Sequence, residues 1–122
     1  MRIRKSVTFD AAHYLPDALP GGPKDHRYKR IHGHSFTLTI TIDGEPDGET
    51  GWVQDFEEVT AALGTVRAQL DHHFLNEIEG LAVPTLENIC QWVADALAPR
   101  LPGLTEVEIA RPSNGESCLL VI

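Results

Sequence analysis

The stretch Arg30-Ile31-His32-Gly33-His34-Ser35-Phe36 opens the most strongly patterned segment of the chain. From Ser35 to Asp43, apolar side chains alternate with polar ones, which predicts a β-strand with one buried face. The apolar members of this run are Phe36, Leu38, Ile40 and Ile42. Residues two apart on a strand point the same way, so His32 and His34 present both imidazoles to one side. The pair is therefore predicted to chelate a metal ion.

A third histidine, His13, follows another alternating run near the start of the chain. The residues that share one face of that run are Ile3, Val7 and Phe9, interrupted by Lys5. If the two strands are neighbours, three neutral imidazoles converge and leave one coordination position open, as a catalytic zinc site requires. Nitrogen-only ligation favours zinc over copper, nickel and iron(II). The alternative is that these are surface and loop histidines that bind nothing, since a spacing of two is a weak signal alone.

Composition limits the classes of partner. The 122 residues suffice for one domain, predicted to span 1–122, and the formal charge of −8 argues against nucleic acid or an anionic membrane as the main partner. A local basic cluster is either a solvated loop or an anion-binding segment; its members are Lys24, Arg27, Lys29 and Arg30. Neither a membrane span nor a secretory signal is visible. Cys90 and Cys118 form no CxxC pattern, which indicates a cytoplasmic protein with reduced thiols.

The remaining elements follow from caps, periodicity and turn formers. Proline and glycine between Leu15 and Lys24 predict a loop that joins the first two strands. Asp55 and Thr85 are predicted to cap two amphipathic helices. The predicted apolar stripes are Val59, Leu63, Val66 and Leu70 on the first helix, and Leu86, Ile89, Cys90, Val93, Ala94 and Leu97 on the second.

The C-terminal segment predicts a hairpin that turns at Ser113-Asn114-Gly115, with Val107 and Ile109 facing the core before the turn and Cys118 to Ile122 returning after it. The order ββααββ predicts an α+β fold, a four-stranded antiparallel sheet with two helices on one face. Such a sheet leaves edges, and pairing with another copy is one way to protect them.

Directly after the first helix stands Asp71-His72-His73. A carboxylate next to an imidazole can orient it and raise its basicity, which suits a proton relay between Asp71 and His72. The alternative is that Asp71 caps a turn and His72 is a surface residue.

Five segments together resemble the 6-pyruvoyltetrahydropterin synthase family, and within it the bacterial 6-carboxytetrahydropterin synthases of queuosine biosynthesis. They occur in family order and cover nearly the whole chain: Phe9-Asp10-Ala11-Ala12-His13, Arg30 to Phe36, Gly51-Trp52-Val53-Gln54-Asp55-Phe56, Leu70 to Asn76 and Pro84-Thr85-Leu86-Glu87-Asn88. The resemblance implies the tunnelling fold, assembled through sheet edges into a trimeric barrel and stacked as a hexamer.

The resemblance also implies functional roles. Zinc would be held by His13, His32 and His34, in active sites that lie between subunits. Asp71 and His72 would move protons while zinc polarises the substrate side chain. The implied substrate is 7,8-dihydroneopterin triphosphate, and the carboxy branch of the family releases triphosphate and a two-carbon fragment.

Two departures from the family pattern bear on the substrate. Tyr28 occupies the position of the family's catalytic cysteine. An ordinary phenol has a pKa near 10 and a thiol one near 8.5, so the phenol needs a larger lowering of its pKa to act as a base near neutral pH. Tyr28 therefore either replaces that base or only fills space. Arg111 replaces a glutamate that accepts hydrogen bonds from the pterin. Arginine has donors but no acceptor. Arg111, Thr85 and Glu87 are the predicted substrate-binding residues, and the hairpin turn does not favour Glu108 or Glu116 as a replacement carboxylate.

These observations predict a zinc-dependent, lyase-like enzyme acting on a small polar molecule that is related to, or diverged from, pterin triphosphates. At the pterin-binding position, Arg111 would favour a ligand that presents hydrogen-bond acceptors. Two alternatives stay open: a non-catalytic homologue that keeps zinc for ligand binding or assembly, and an ordinary 6-carboxytetrahydropterin synthase with a rearranged site.

Overall fold

The computed structural model describes residues 1–16 and 27–122. Its main elements are β1 (Arg2–His13), β2 (His32–Asp43), α1 (Phe56–Leu70), α2 (Leu86–Leu97), β3 (Leu104–Arg111) and β4 (Glu116–Val121). The strands form one antiparallel sheet in the order β1-β2-β3-β4. The predicted order of elements and the α+β class are confirmed. Most of the predicted loop between β1 and β2, including Lys24, lies outside the described residues.

The alternation along β1 and β2 sorts their side chains between two faces of the sheet. Phe9 pairs directly with Phe36, their rings stack with centroids 4.9 Å apart, and both are almost fully buried. The buried face predicted for β2 is confirmed, since its four apolar side chains are at most 3% exposed. This face packs against the two helices and forms the core.

Each helix begins at the predicted cap. The Asp55 carboxylate accepts a hydrogen bond from the backbone N–H of Glu57, and the Thr85 hydroxyl accepts one from Asn88. Both predicted apolar stripes are buried, including Cys90 on α2. Among the described residues, no helix is long and apolar enough to cross a membrane.

The segment after α1 extends the sheet beyond β1. The backbone N–H of His72 donates to the carbonyl of Asp10 at 2.7 Å, the N–H of Ala12 donates to the carbonyl of His73, and Phe74 forms a parallel bridge with Ala12. The outer edge of β1 is therefore partly paired at the end where His13 lies, which brings the Asp71-His72 segment next to that end of the sheet.

Candidate metal centre and adjoining cavities

Three histidines from two strands converge at the end of the sheet. His13 pairs directly with His32, and His34 pairs with Ala11, so all three imidazoles lie on the face that carries Phe9 and Phe36. The ring centroids are 4.6 to 5.2 Å apart. One potential ligand atom from each ring lies within 4.8 Å of the others. The structure thus brings the three predicted metal ligands together.

Hydrogen bonds orient two of these imidazoles. Nδ1 of His13 lies 2.9 Å from the carbonyl oxygen of Pro84, and Nδ1 of His32 lies 2.7 Å from that of Arg30. A carbonyl oxygen only accepts, so each Nδ1 carries the hydrogen and each Nε2 keeps a lone pair. In metal-ligating histidines, the ring nitrogen that does not bind the metal usually donates a hydrogen bond in this way.

The Nε2 atoms of His13 and His34 are buried and have no hydrogen-bond partner among the described residues. A buried acceptor without a partner is costly, and a cation bound between the three rings would satisfy it. The residues present therefore fit a divalent metal ion that accepts nitrogen ligands.

The surroundings of His13 and His34 favour the neutral form of these two rings. Burial lowers the pKa of His13 to about 4, and the charges of His32, His34 and Arg111 act in the same direction, while the hydrogen bond to Pro84 opposes them. Burial, followed by the charge of Arg111, also lowers the pKa of His34. Imidazoles bind metals only when deprotonated, so both shifts favour ligation at neutral pH.

A cavity of about 610 Å³, here called the histidine cavity, opens beside the three rings. Its walls are formed by Arg27, Tyr28, His32, Gly33, His34, Ser113, Asn114 and Glu116. Tyr28 thus reaches the same cavity as two of the metal-ligand candidates. The guanidinium carbon of Arg27 lies 5.2 Å from the centroid of the Tyr28 ring. The Nη2 atom of Arg27 lies 3.4 Å from the Tyr28 hydroxyl oxygen.

At the far wall, Arg111 and Glu116 form an ion pair of 2.6 Å. The Arg111 side chain is only 16% exposed, compared with 44% for Glu116. Glu116 lines the histidine cavity and Arg111 does not. The Nε of Arg111 is buried without a partner among the described residues. The sequence pattern did not favour Glu116 as a replacement carboxylate, yet Glu116 is the acidic residue at this wall.

Strand register explains this position of Glu116. Arg111 ends β3, Glu116 begins β4, and the two pair directly across the hairpin. Between them, Gly115 at φ 67° completes the tight turn. Glu108 points to the opposite face, because its neighbours Val107 and Ile109 are in the core.

Asp71 and His72 lie beside a second cavity, of about 630 Å³, on the other side of the sheet end. Its lining includes Asp10, Ser35 and His72, and it shares only Gly33 and His34 with the histidine cavity. Asp10 and Ser35 face away from the core, so this cavity opens on the sheet face that the helices do not cover. His72 and Tyr28 therefore line different cavities, which adjoin each other at Gly33 and His34.

The Asp71-His72 pair is itself well formed. Oδ2 of Asp71 lies 3.0 Å from Nδ1 of His72, and its Oδ1 accepts a 2.9 Å hydrogen bond from the backbone N–H of Asp10. That N–H lowers the pKa of Asp71 most, followed by the hydrogen bond with His72, and Arg67 contributes in the same direction. His72 has φ 57° and a side chain 79% exposed, so its ring projects outward with Nδ1 held by the carboxylate.

Neither Thr85 nor Glu87 lines the histidine cavity. Thr85 directly follows Pro84, whose carbonyl binds His13, and its hydroxyl caps α2. Glu87 is exposed in the first turn of α2. Their predicted contact with substrate stays a prediction.

Comparison with solved structures places this sheet-and-helix arrangement in the tunnelling-fold class. The structure of Caenorhabditis elegans 6-pyruvoyl tetrahydropterin synthase superposes with a TM-score of 0.87 at 21% identity, covering 100% of this chain and 95% of the other. The sequence model described as 6-pyruvoyl tetrahydropterin synthase matches residues 2–119. The chain belongs to the 6-pyruvoyl tetrahydropterin synthase family.

Two relatives with assigned activities resemble the chain over most of its length. One is a dihydroneopterin monophosphate aldolase from Pyrococcus furiosus, 34% identical over 94% of this chain and 89% of its own length. The other is a 6-carboxy-5,6,7,8-tetrahydropterin synthase from Synechocystis sp., 36% identical over 88% of this chain and 83% of its own. The similarity to the second type agrees with the resemblance seen in the sequence motifs.

Proposed function

We propose that this protein is a zinc-dependent lyase that cleaves the side chain of a phosphorylated dihydropterin. The observation that carries the proposal is the cluster of three imidazoles, two of them held by their Nδ1 atoms and two with buried, unpartnered Nε2 atoms. The substrate class is supported by the family and by the two relatives, whose names specify a dihydroneopterin phosphate and a tetrahydropterin.

His13, His32 and His34 would hold the metal ion. When bound, zinc supplies a Lewis acid that polarises an oxygen atom of the substrate side chain. Three protein ligands leave room for the substrate, as in other catalytic zinc sites. Phe36 packs beneath the cluster, with its ring centroid 5.5 Å from that of His34, and excludes water from below.

The chain offers two candidates for proton transfer. Asp71 holds Nδ1 of His72, which leaves the outward-projecting Nε2 as the proton-exchanging atom. Tyr28 lines the histidine cavity, where its hydroxyl lies 3.4 Å from a guanidinium nitrogen of Arg27. We propose that both act in the same reaction and remove and return protons on the substrate side chain.

An oligomer would bring these groups together. Because His72 faces a cavity separate from that of Tyr28, its ring would serve a site completed by a neighbouring copy. Exposed apolar side chains on β4 and at the C-terminus, Leu119, Val121 and Ile122, support pairing through this sheet edge. We propose the hexamer, a dimer of trimers in the cytoplasm, as the working assembly.

Two reactions fit this site. A 6-carboxytetrahydropterin synthase would release triphosphate and a two-carbon fragment, and would place the protein in queuosine biosynthesis. The second reaction is an aldol cleavage of the monophosphate, favoured by the match to the Pyrococcus furiosus enzyme over nearly the whole chain. The alternative to both reactions is a non-catalytic role, with zinc held only for structure.

The test is a product assay on metal-analysed protein with dihydroneopterin triphosphate and, separately, dihydroneopterin monophosphate. We expect zinc-loaded protein to convert one of them, and we expect conversion to stop after zinc removal and to return when zinc is added back. His32→Ala should abolish it, whereas Asp95→Asn, an exposed change on α2, should have no effect. Full zinc occupancy with neither substrate converted would contradict the proposal and favour the non-catalytic role.

A further inference from the structure

We propose that Glu116 accepts hydrogen bonds from the ligand in the histidine cavity, and that Arg111 is a positioning residue that holds the Glu116 carboxylate in place. This inference rests on the proposed function for its ligand class, a pterin. It assigns the ligand specificity of the cavity to Glu116, at the start of β4. Arg111 was expected to donate hydrogen bonds to the ligand, and here it donates to Glu116 instead.

Glu116 lies on the wall of the cavity that a ligand bound at the histidines would occupy. It lines the same cavity as His32 and His34. Its negative charge opposes the lowering of the His34 pKa, which burial and then Arg111 cause, so the carboxylate is close enough to act on that ring. Its charge also contributes to raising the pKa of Arg27, chiefly raised by Tyr28, at the other side of the cavity. Glu116 therefore faces the same space as the two histidines and Arg27.

Arg111 lies behind this carboxylate rather than in front of it. Its guanidinium NH2 donates to Oε2 of Glu116 at 2.6 Å, and its side chain is largely buried. An ionised carboxylate has about four acceptor positions, of which Arg111 occupies one in this contact. The remaining positions can accept N–H groups of a ligand. The pair is neutral overall, so a neutral ligand can bind without bringing an unpaired charge into the cavity.

These properties select a ligand with adjacent hydrogen-bond donors. The amino-pyrimidinone edge of a pterin presents an exocyclic amino group and a ring N–H side by side, and one carboxylate can accept from both. An analogue with an oxo group in place of the amino group turns an acceptor towards the carboxylate. The oxo oxygen and the carboxylate oxygen that faces it are then both left without a hydrogen-bond donor. The Arg111–Glu116 pair therefore predicts discrimination between these two compounds.

The experiment measures binding of neopterin and of its 2,4-dioxo analogue to zinc-loaded protein by fluorescence titration. We expect the wild-type protein to prefer neopterin. Glu116→Gln should weaken neopterin binding roughly 10- to 100-fold, the range expected for hydrogen bonds to a charged group, and should reduce the preference. Glu108→Gln, an acidic residue on the opposite face of the same sheet, is the matched control and should retain wild-type binding. Zinc content should be equal in all variants.

Arg111 is tested with a pair of variants. Arg111→Met should lower the preference for neopterin without loss of zinc, and Arg111→Lys should restore part of it because a positive charge beside Glu116 returns. If Arg111 bound the ligand through its own donors, Arg111→Met would instead weaken the acceptor-rich analogue more than neopterin, which would overturn the positioning role.

The outcomes separate this inference from the proposed function. Preferential neopterin binding by the wild-type protein that is unchanged in Glu116→Gln would overturn the inference and leave the proposed function standing. Failure of the zinc-loaded wild-type protein to bind either compound would overturn both. Selective loss of neopterin binding in Glu116→Gln, with the control intact, would support both.

Discussion

Because His13 is buried in its neutral form, it makes the free energy of unfolding depend on pH, and replacing His13 tests this dependence. His13 is 1% exposed, and its pKa is lowered to about 4 from an ordinary value of 6.5. Between these two pH values the unfolded chain binds a proton at His13 that the folded chain excludes. The free energy of unfolding of the metal-free protein therefore falls as the pH drops through this window, and this contribution levels off below pH 4.

The difference between the folded and unfolded pKa values of His13 sets the magnitude of this effect. A difference from 6.5 to about 4 corresponds to at most about 3 kcal/mol from His13 alone. The lowered pKa of His34 acts in the same direction. His13→Gln cannot take up this proton, and its amide can still donate to the Pro84 carbonyl. The variant should therefore lose about 3 kcal/mol less than the wild-type protein over the same pH range.

The assay is urea unfolding of chelator-treated protein, followed by tryptophan fluorescence at one fixed protein concentration between pH 7.5 and pH 4. His73→Gln removes an exposed histidine and should preserve the wild-type decline in the free energy of unfolding. Parallel declines for wild-type protein and His13→Gln would refute the reasoning, because they would show that His13 is not buried in its neutral form.

Four further changes test the site and the core. His34→Ala should remove stoichiometric zinc, measured by elemental analysis, and full zinc retention would contradict its role as a ligand. Asp71→Asn should retain zinc but reduce kcat by about 10²- to 10⁴-fold, whereas an equal rate would leave His72 without the proposed relay. Tyr28→Phe should reduce kcat by at least about 10²-fold if its hydroxyl transfers a proton, and an unchanged kcat would assign the ring a packing role. Phe36→Ala should destabilise the protein by about 3–5 kcal/mol in thermal or urea unfolding, and a smaller loss would show that the core beneath the histidines closes over the gap.

Local patterns in the sequence determined most of the fold. Alternation along β2 identified the core face that contains Phe36, because successive strand residues point to opposite sides. Asp55 and Thr85 located the helix starts, because an N-cap acts on backbone groups within the same turn. The spacing of His32 and His34 predicted a common direction for the same local reason, and the succession of strand, helix and turn patterns along the chain predicted the order of the elements.

Contacts between distant segments were decided only by the tertiary structure. The carbonyl that orients His13 belongs to Pro84, 71 residues away in the chain, and no periodicity relates the two positions. The Asp71-His72 pair was recognisable as a motif, but its position beside β1, in a cavity apart from Tyr28, depends on backbone pairing after α1.

The contact between Arg111 and Glu116 is the clearest case of a contact that the sequence patterns did not predict. Aligning residues one by one identified Arg111 as the replacement for a carboxylate, and from that alone a ligand rich in acceptors follows. The hairpin register sets Glu116 directly opposite Arg111 on the cavity face, and burial directs the guanidinium to the carboxylate. Sequence determines which face of its own element a side chain occupies, whereas strand pairing and packing determine what that side chain meets.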